Sequence, residues 1–228
     1  MSSSAPATGD TLAERAAQLV EADIVSGALA PGARLGIAEM AARYQIGATP
    51  LREGLSRLAA RGLVDAFGMR GFRVKGISRE DLQDIVVIRS TIEREALKRS
   101  LELGGGTWEG EIAAALQRLK HFLRRQPKGL GERDPEFDRL HKAFHASLIA
   151  ACRSPRLIAA QAQLYDQAQR YRRLMMSGIA DSDGFLVEHE RLADLAIHRD
   201  RDAALAAIAN HIASTLAFVY PERDREDS

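Results

Sequence analysis

Near Gly76 the spacing of apolar residues changes character, and that change divides the chain. Before it the apolar positions mark three short helices and then two strands. After it every periodic stretch is helical. Short helices leading into a hairpin cannot share a core with a long succession of helices, so the pattern predicts two units. The chain has 228 residues, enough for two modest cores.

Leu12, Ala16, Leu19, Val20 and Ile24 form an apolar stripe, predicting a first helix from about 12 to 26 that Gly27 and Pro31-Gly32 terminate. A second helix is expected over 37–44, with Ile37, Met40, Ala41 and Tyr44 facing inward. After a short link, a third opens at Thr49-Pro50, where Pro suits the first helical position and Thr a cap. Leu51, Leu55, Leu58 and Ala59 are its inward stripe. Two short helices joined by a glycine-containing turn are a helix-turn-helix pattern. Residues 63–66 then read as a strand, 67–71 as a glycine-flanked turn and 72–75 as a half-exposed strand. A hairpin in that place is a wing, with Arg70 at its tip.

The third helix carries Arg52, Ser56 and Arg57 on its outward face and Thr49 at its start. In a helix-turn-helix the second helix enters the major groove N-terminus first, and an arginine fork matches guanine O6 and N7. Arg70 suits a minor groove or a phosphate. These five residues are the candidate DNA contacts; the plainer alternative is a solvated helix face. Residues 11–76 hold nine Lys/Arg against six Asp/Glu, whereas 77–220 hold 21 against 20, a mild concentration of positive charge at the front. Double-stranded operator DNA is the partner this predicts. A homodimer follows, because such motifs read paired half-sites.

From Ser78 the pattern is all helix. Ser78 and Asp81 resemble a capping box, and the helix they open should run to Leu103, before Gly104-Gly105-Gly106. Its inward stripe is Leu82, Ile85, Val86, Arg89, Ile92, Glu93 and Ala96. Two charges on an apolar face are costly unless paired or liganded. Arg89 and Glu93 therefore form either a mutual salt bridge or part of a pocket for an anionic effector. Further helices are expected at about 107–126, 135–151, 155–176, 184–198 and 201–219, giving an antiparallel bundle. The whole is a mainly α fold: a polar tail over 1–10, a winged helix-turn-helix over 11–76, the bundle over 77–220 and a polar tail over 221–228.

Four of the six histidines fall on inward stripes of three helices: His141 and His145 one turn apart, then His189, then His211. A lone inward histidine is usually a satisfied core residue. Four that converge bond one another poorly when neutral and repel when protonated. A divalent metal resolves this, and imidazole suits zinc first, with nickel, copper or iron as alternatives. A metal-free polar effector pocket is the competing reading. Three histidines with an open position also describe hydrolytic zinc sites. No general base stands out on those stripes beyond Glu93 and Asp138, and catalysis would leave the winged helix unexplained, so an enzyme is not expected. A metal-stabilised bundle without an effector is the third class.

No apolar run reaches the roughly 18 residues of a membrane helix, and the N-terminus lacks a signal-peptide pattern. The single cysteine, Cys152, excludes an internal disulfide. A cytoplasmic protein with no membrane partner is expected.

Pro31-Gly32 with Arg34-Leu35, Thr49-Pro50-Leu51-Arg52-Glu53, Leu58, Gly62-Leu63-Val64 and Arg70-Gly71-Phe72-Arg73-Val74 resemble the GntR-type winged helix. Gly47 and Ala48 stand where that family usually has Ser and often Arg, which shifts operator reading toward Arg52 and Arg57. Residues 78–219 resemble the FCD effector domain of the FadR-like subfamily. His145, His189 and His211 match its three histidines, and Arg89 with Glu93 its Arg-x-x-x-Glu. His141 stands where the family usually has Asp or Asn; Asp138, one turn earlier, is the alternative ligand. The stretches 140–152 and Arg170-Tyr171-Arg172 resemble the carbon-starvation-induced branch, which responds to glutarate-like dicarboxylates. The resemblance implies a metabolite-responsive repressor released by a small carboxylate. That effector would bind at the metal, with Arg89, Glu93 and Arg172 around it.

Overall fold

The computed structural model describes residues 11–125, 134–176 and 182–220. They fall into two units that meet between Ile77 and Ser78.

The first unit begins with α1 (Leu12–Val25). Thr11 caps it: its hydroxyl accepts from the Glu14 amide, and the Glu14 carboxylate accepts the Thr11 amide at 2.8 Å. The buried face is Ala13, Ala16, Ala17, Val20 and Ile24, so Leu12, expected inside, lies 59% exposed. The reason is Gly54 of α3 (Ala48–Ala60). A Cβ there would stand 2.9 Å from both Ala13 O and Ala17 N, so α1 presents its small residues to a closely packed partner. Gly54→Ala is therefore expected to lower the stability of this unit by about 1–3 kcal/mol through overpacking. The expected sign is opposite to the roughly 1 kcal/mol that Ala gains over Gly in a free helix. Urea unfolding of the isolated segment 1–77, if it folds alone, or thermolysin cleavage in the full chain, measures it.

Between them, α2 spans Ile37–Tyr44 and ends at Gln45 in the left-handed conformation. The third helix starts one residue earlier than its Thr-Pro signal: Gly47 is the N-cap, and Thr49 lies within the first turn. Three strands complete the unit, β1 (Arg34–Leu35), β2 (Val64–Ala66) and β3 (Phe72–Val74), in the order β1-β3-β2 and antiparallel throughout. A two-residue strand has no readable alternation, so β1 was not expected. Gly68 and Gly71, both at positive φ, bracket the turn between β2 and β3, and Arg70 ends that turn exposed. This is the wing.

Among the described residues the second unit is a bundle of six helices: α4 (Arg79–Leu103), α5 (Gly106–Arg124), α6 (Pro135–Ile149), α7 (Pro155–Met176), α8 (Ser182–Ile197) and α9 (Arg201–Val219). Ser78 caps α4, accepting from the Asp81 amide at 3.1 Å. Asp134 caps α6, whose first residue is Pro135. Its far end tightens into a 3₁₀ turn over Ala150–Cys152. The core joins Leu97 and Leu101 of α4, Ile112 and Leu119 of α5, Phe137 and Phe144 of α6, Leu192 of α8 and Ile208 and Ile212 of α9. By length and composition α9 is apolar enough to cross a bilayer, contrary to the expectation that no stretch would be. Seven of its residues are alanines, which raise its mean hydropathy, and it also carries Asn210 and His211.

Candidate metal centre and nucleic-acid interface

α6 places His141 and His145 one turn apart on its buried face; α8 supplies His189 and α9 supplies His211. One ring nitrogen from each lies within 4.8 Å of all the others. The Nε2 atoms face one another: His141 to His189 at 2.9 Å, His145 to His141 at 3.1 Å and His211 to His145 at 3.3 Å. His121 and His198, the other two, are exposed.

The outer nitrogens explain why this group suits a cation. His189 Nδ1 meets the Phe185 carbonyl at 2.7 Å, and His211 Nδ1 faces the Glu188 carboxylate at 3.2 Å. His145 Nδ1 lies 3.8 Å from Glu93 Oε2. A carbonyl accepts only, so His189 Nδ1 carries the proton and leaves a lone pair on Nε2, whereas His145 Nδ1 and His211 Nδ1 face carboxylates without a hydrogen bond. His141 Nδ1 meets the Tyr165 hydroxyl at 2.8 Å, so this ring can be either tautomer. With a carbonyl or a carboxylate beside three of the outer nitrogens, protons there are favoured over protons on the converging Nε2 atoms. A divalent ion bound by Nε2 of His141, His145, His189 and His211 would satisfy all four, and the Nδ1 partners are the outer shell that orients metal-bound imidazoles. Asp138 is half-buried on α6 and is not one of the converging donors, whereas His141 is.

Burial, reinforced by the neighbouring rings, holds His141 and His145 well below the ordinary value of 6.5, and burial lowers His189 to about 3. The folded state therefore keeps these rings neutral. In metal-free protein the unfolded chain gains protons as pH falls below 6.5, whereas the folded bundle does not. Stability should be full above that value and decline steadily from it toward the folded values. The slope is up to about 1.4 kcal/mol per pH unit for each such histidine. Urea melts in chelator at pH 7, 6 and 5, followed by Trp108 fluorescence, should show this decline; a flat profile would contradict the buried neutral cluster. Trp108 is the sole tryptophan and lies buried in the second unit.

A second polar group adjoins the first. Arg89 and Glu93 form a buried ion pair, with Nε and Nη2 both on Glu93 Oε1 at 2.9 and 2.7 Å. The mutual bridge foreseen as one alternative is therefore present. Glu93 also reaches toward His145, joining this pair to the histidines. Arg172 of α7 lies buried, its Cζ 3.9 Å from the centre of the Tyr165 ring. Arg89 approaches the same ring at 5.3 Å. Tyr165 thus stands between the imidazoles and two guanidinium groups. Sequence reasoning missed Tyr165 and Gln169; the row Gln161, Tyr165, Gln169, Arg172 at helical spacing was the signal that could have found them.

In the first unit Thr49, Arg52, Ser56 and Arg57 are exposed on α3, and Arg70 is exposed on the wing. Arg57 also pairs with Glu14 of α1 at 3.2 Å, so it ties the two helices as well as facing solvent. β1 adds what the sequence did not suggest. Arg34 and Arg73 stand directly opposite each other on exposed positions of β1 and β3. Asp65 of β2 stands opposite Arg73 on its other side, so this row keeps one net positive charge, which favours a polyanion beside it.

Residues 12–74 match the family of bacterial regulatory proteins named gntR, and residues 84–214 match the FCD domain, more than half of the chain. The chain belongs to the GntR family. It is a DNA-binding transcription regulator with an FCD domain, not an enzyme. It is 33% identical over 209 residues to the uncharacterized HTH-type transcriptional regulator BphR of Paraburkholderia xenovorans (strain LB400), covering 92% of this chain and 85% of that one. It is 29% identical over 202 residues to the HTH-type transcriptional repressor GlaR of Escherichia coli (strain K12), covering 86% and 90%. The solved structure of E. coli McbR/YncC has the same fold: TM-score 0.77 at 20% identity, covering 93% of this GntR chain and 98% of the other.

Proposed function

We propose that this GntR regulator is a cytoplasmic, homodimeric repressor that a small carboxylate releases from its operator. The effector acts at a divalent ion held by His141, His145, His189 and His211. The observation that carries this reading is the convergence of four Nε2 atoms from three helices, with a carbonyl or a carboxylate beside three of the outer nitrogens. Zinc is the first candidate and nickel the second. Four imidazoles leave the ion's charge uncancelled, so an anionic metabolite is attracted, and the guanidinium side of Tyr165 adds to that field. Purified protein should contain about one divalent ion per chain by elemental analysis. It should retard its own promoter fragment, and a dicarboxylate should reverse the retardation. Failure to retain metal after reconstitution would turn the reading to a metal-free polar pocket.

One observation favours a second reading. With His141 in place the site offers four donors, the number that a purely structural zinc ion takes. A thermal shift of the loaded protein by dicarboxylates separates the two, since a structural ion responds to none.

The operator face is α3 with the wing. Arg52→Ala should weaken specific binding by roughly 1–3 kcal/mol per half-site at fixed salt. The fold should survive, because the Arg52 side chain is exposed. Unchanged operator affinity in a gel-shift titration would remove α3 as the reader. Arg34 and Arg73 should instead affect all sequences alike and reduce the salt dependence.

A further inference from the structure

The buried donors around Tyr165 are not equivalent. Arg89 is consumed by Glu93, which takes two of its N–H groups at 2.9 and 2.7 Å within a pair that is 3% exposed or less. Arg172 is also buried, 8% exposed, but makes one long hydrogen bond, from Nη2 to Gln169 Oε1 at 3.3 Å, besides its stacking on Tyr165. Among the described residues no carboxylate lies within ion-pair distance of it. Asp138 and Glu93 reach it only as more distant charges, and Arg89 opposes it. Gln169 is 3% exposed; its oxygen is taken by Arg172 and its Nε2 has no partner. A buried guanidinium without a counter-charge and a buried amide without an acceptor are each costly, and here they are adjacent on one turn of α7. Both lack the same thing, an anionic acceptor, and a carboxylate has the two oxygens that a guanidinium edge and a neighbouring amide donor can share.

We propose that Arg172 and Gln169 are the seat for the second carboxylate of a dicarboxylate effector and that Arg89 is not. This rests on the reading above that a carboxylate effector acts at the histidine site. One carboxylate of the ligand lies on the histidine side of Tyr165. The other completes the Arg172–Gln169 pair beneath the ring, whose hydroxyl meets His141 at 2.8 Å while its face meets Arg172 at 3.9 Å. The seat makes discrimination a matter of unpaired donors. A monocarboxylate of the same length leaves Arg172 and Gln169 buried without an acceptor, the kind of mismatch that sites built to hydrogen-bond reject strongly.

The test is calorimetry of zinc-loaded full-length protein against glutarate and pentanoate, which share a five-carbon chain and differ by one carboxylate. Wild type, Gln169→Leu and Arg172→Met are compared, each shown by circular dichroism and zinc content to be folded and loaded. Wild type should favour glutarate at least tenfold. Gln169→Leu should shrink that ratio several-fold, and Arg172→Met should abolish it, with pentanoate binding weakened far less than glutarate binding in either. Gln169→Leu keeps the test valid if Arg172→Met does not fold. Undiminished preference in the variants would overturn the seat while leaving the carboxylate reading in place. Loaded wild type that binds neither acid, or both equally, would overturn the seat; binding neither would also overturn the carboxylate reading.

Discussion

Zinc-loaded protein stripped with a chelator is expected to lose about 4 kcal/mol of stability in the second unit if the ion was present at a thousandfold excess over its Kd. For a unit of this size that lowers the melting temperature by roughly 8–16 °C. The loss follows from the geometry of the four rings. Their outer nitrogens face a carbonyl, two carboxylates and a hydroxyl, and their Nε2 atoms turn inward, with three of the pairs 2.9–3.3 Å apart. Only the folded bundle assembles them, so binding free energy becomes folding free energy. Trp108 fluorescence reads the bundle alone. His145→Ala, His189→Ala and His211→Ala should each erase most of the difference between loaded and stripped protein. His141→Asp should keep it, since a carboxylate is also a ligand. A melting temperature indifferent to chelator, in protein shown to have carried metal, would contradict the site.

The parts of the molecule that were legible in the sequence are those where one residue property decides one structural outcome. Helices α2, α4, α7 and α9 match or nearly match their expected bounds, because Ser78, Gly104, Pro155 and Asp200 punctuate apolar stripes that are otherwise regular. The four histidines were legible for the same reason, each lying on such a stripe. What was not legible depends on partners distant in the chain. The buried face of α1 is set by Gly54, forty residues on, and β1 exists only because β3 pairs with it. The division of labour between Arg89 and Arg172 is likewise a matter of distances: both were foreseen as effector contacts, but only the folded bundle puts Glu93 on one and leaves the other uncompensated.

That division yields the second large effect. Arg89→Met is expected to cost about 3–5 kcal/mol of bundle stability, because it leaves Glu93 as an unpaired buried carboxylate. Glu93 is fully buried, and its Oε2 already lacks a hydrogen bond, so nothing nearby replaces the guanidinium. Arg89→Met combined with Glu93→Leu should recover most of the loss, since removing both members of a buried pair is often neutral or stabilising. The recovery should be incomplete for metal binding, because Glu93 is also the carboxylate facing His145 Nδ1, and loss of such an outer partner typically weakens a metal site 10–100-fold. Urea unfolding monitored at Trp108 gives the first quantity and competitive zinc titration the second. If Arg89→Met were as stable as wild type and instead lost dicarboxylate binding, Arg89 would be the anion's seat and Glu93 only its resting partner. If the double variant stayed as unstable as the single one, the pair would be doing something other than neutralising itself, and the buried-charge account of α4 would be wrong.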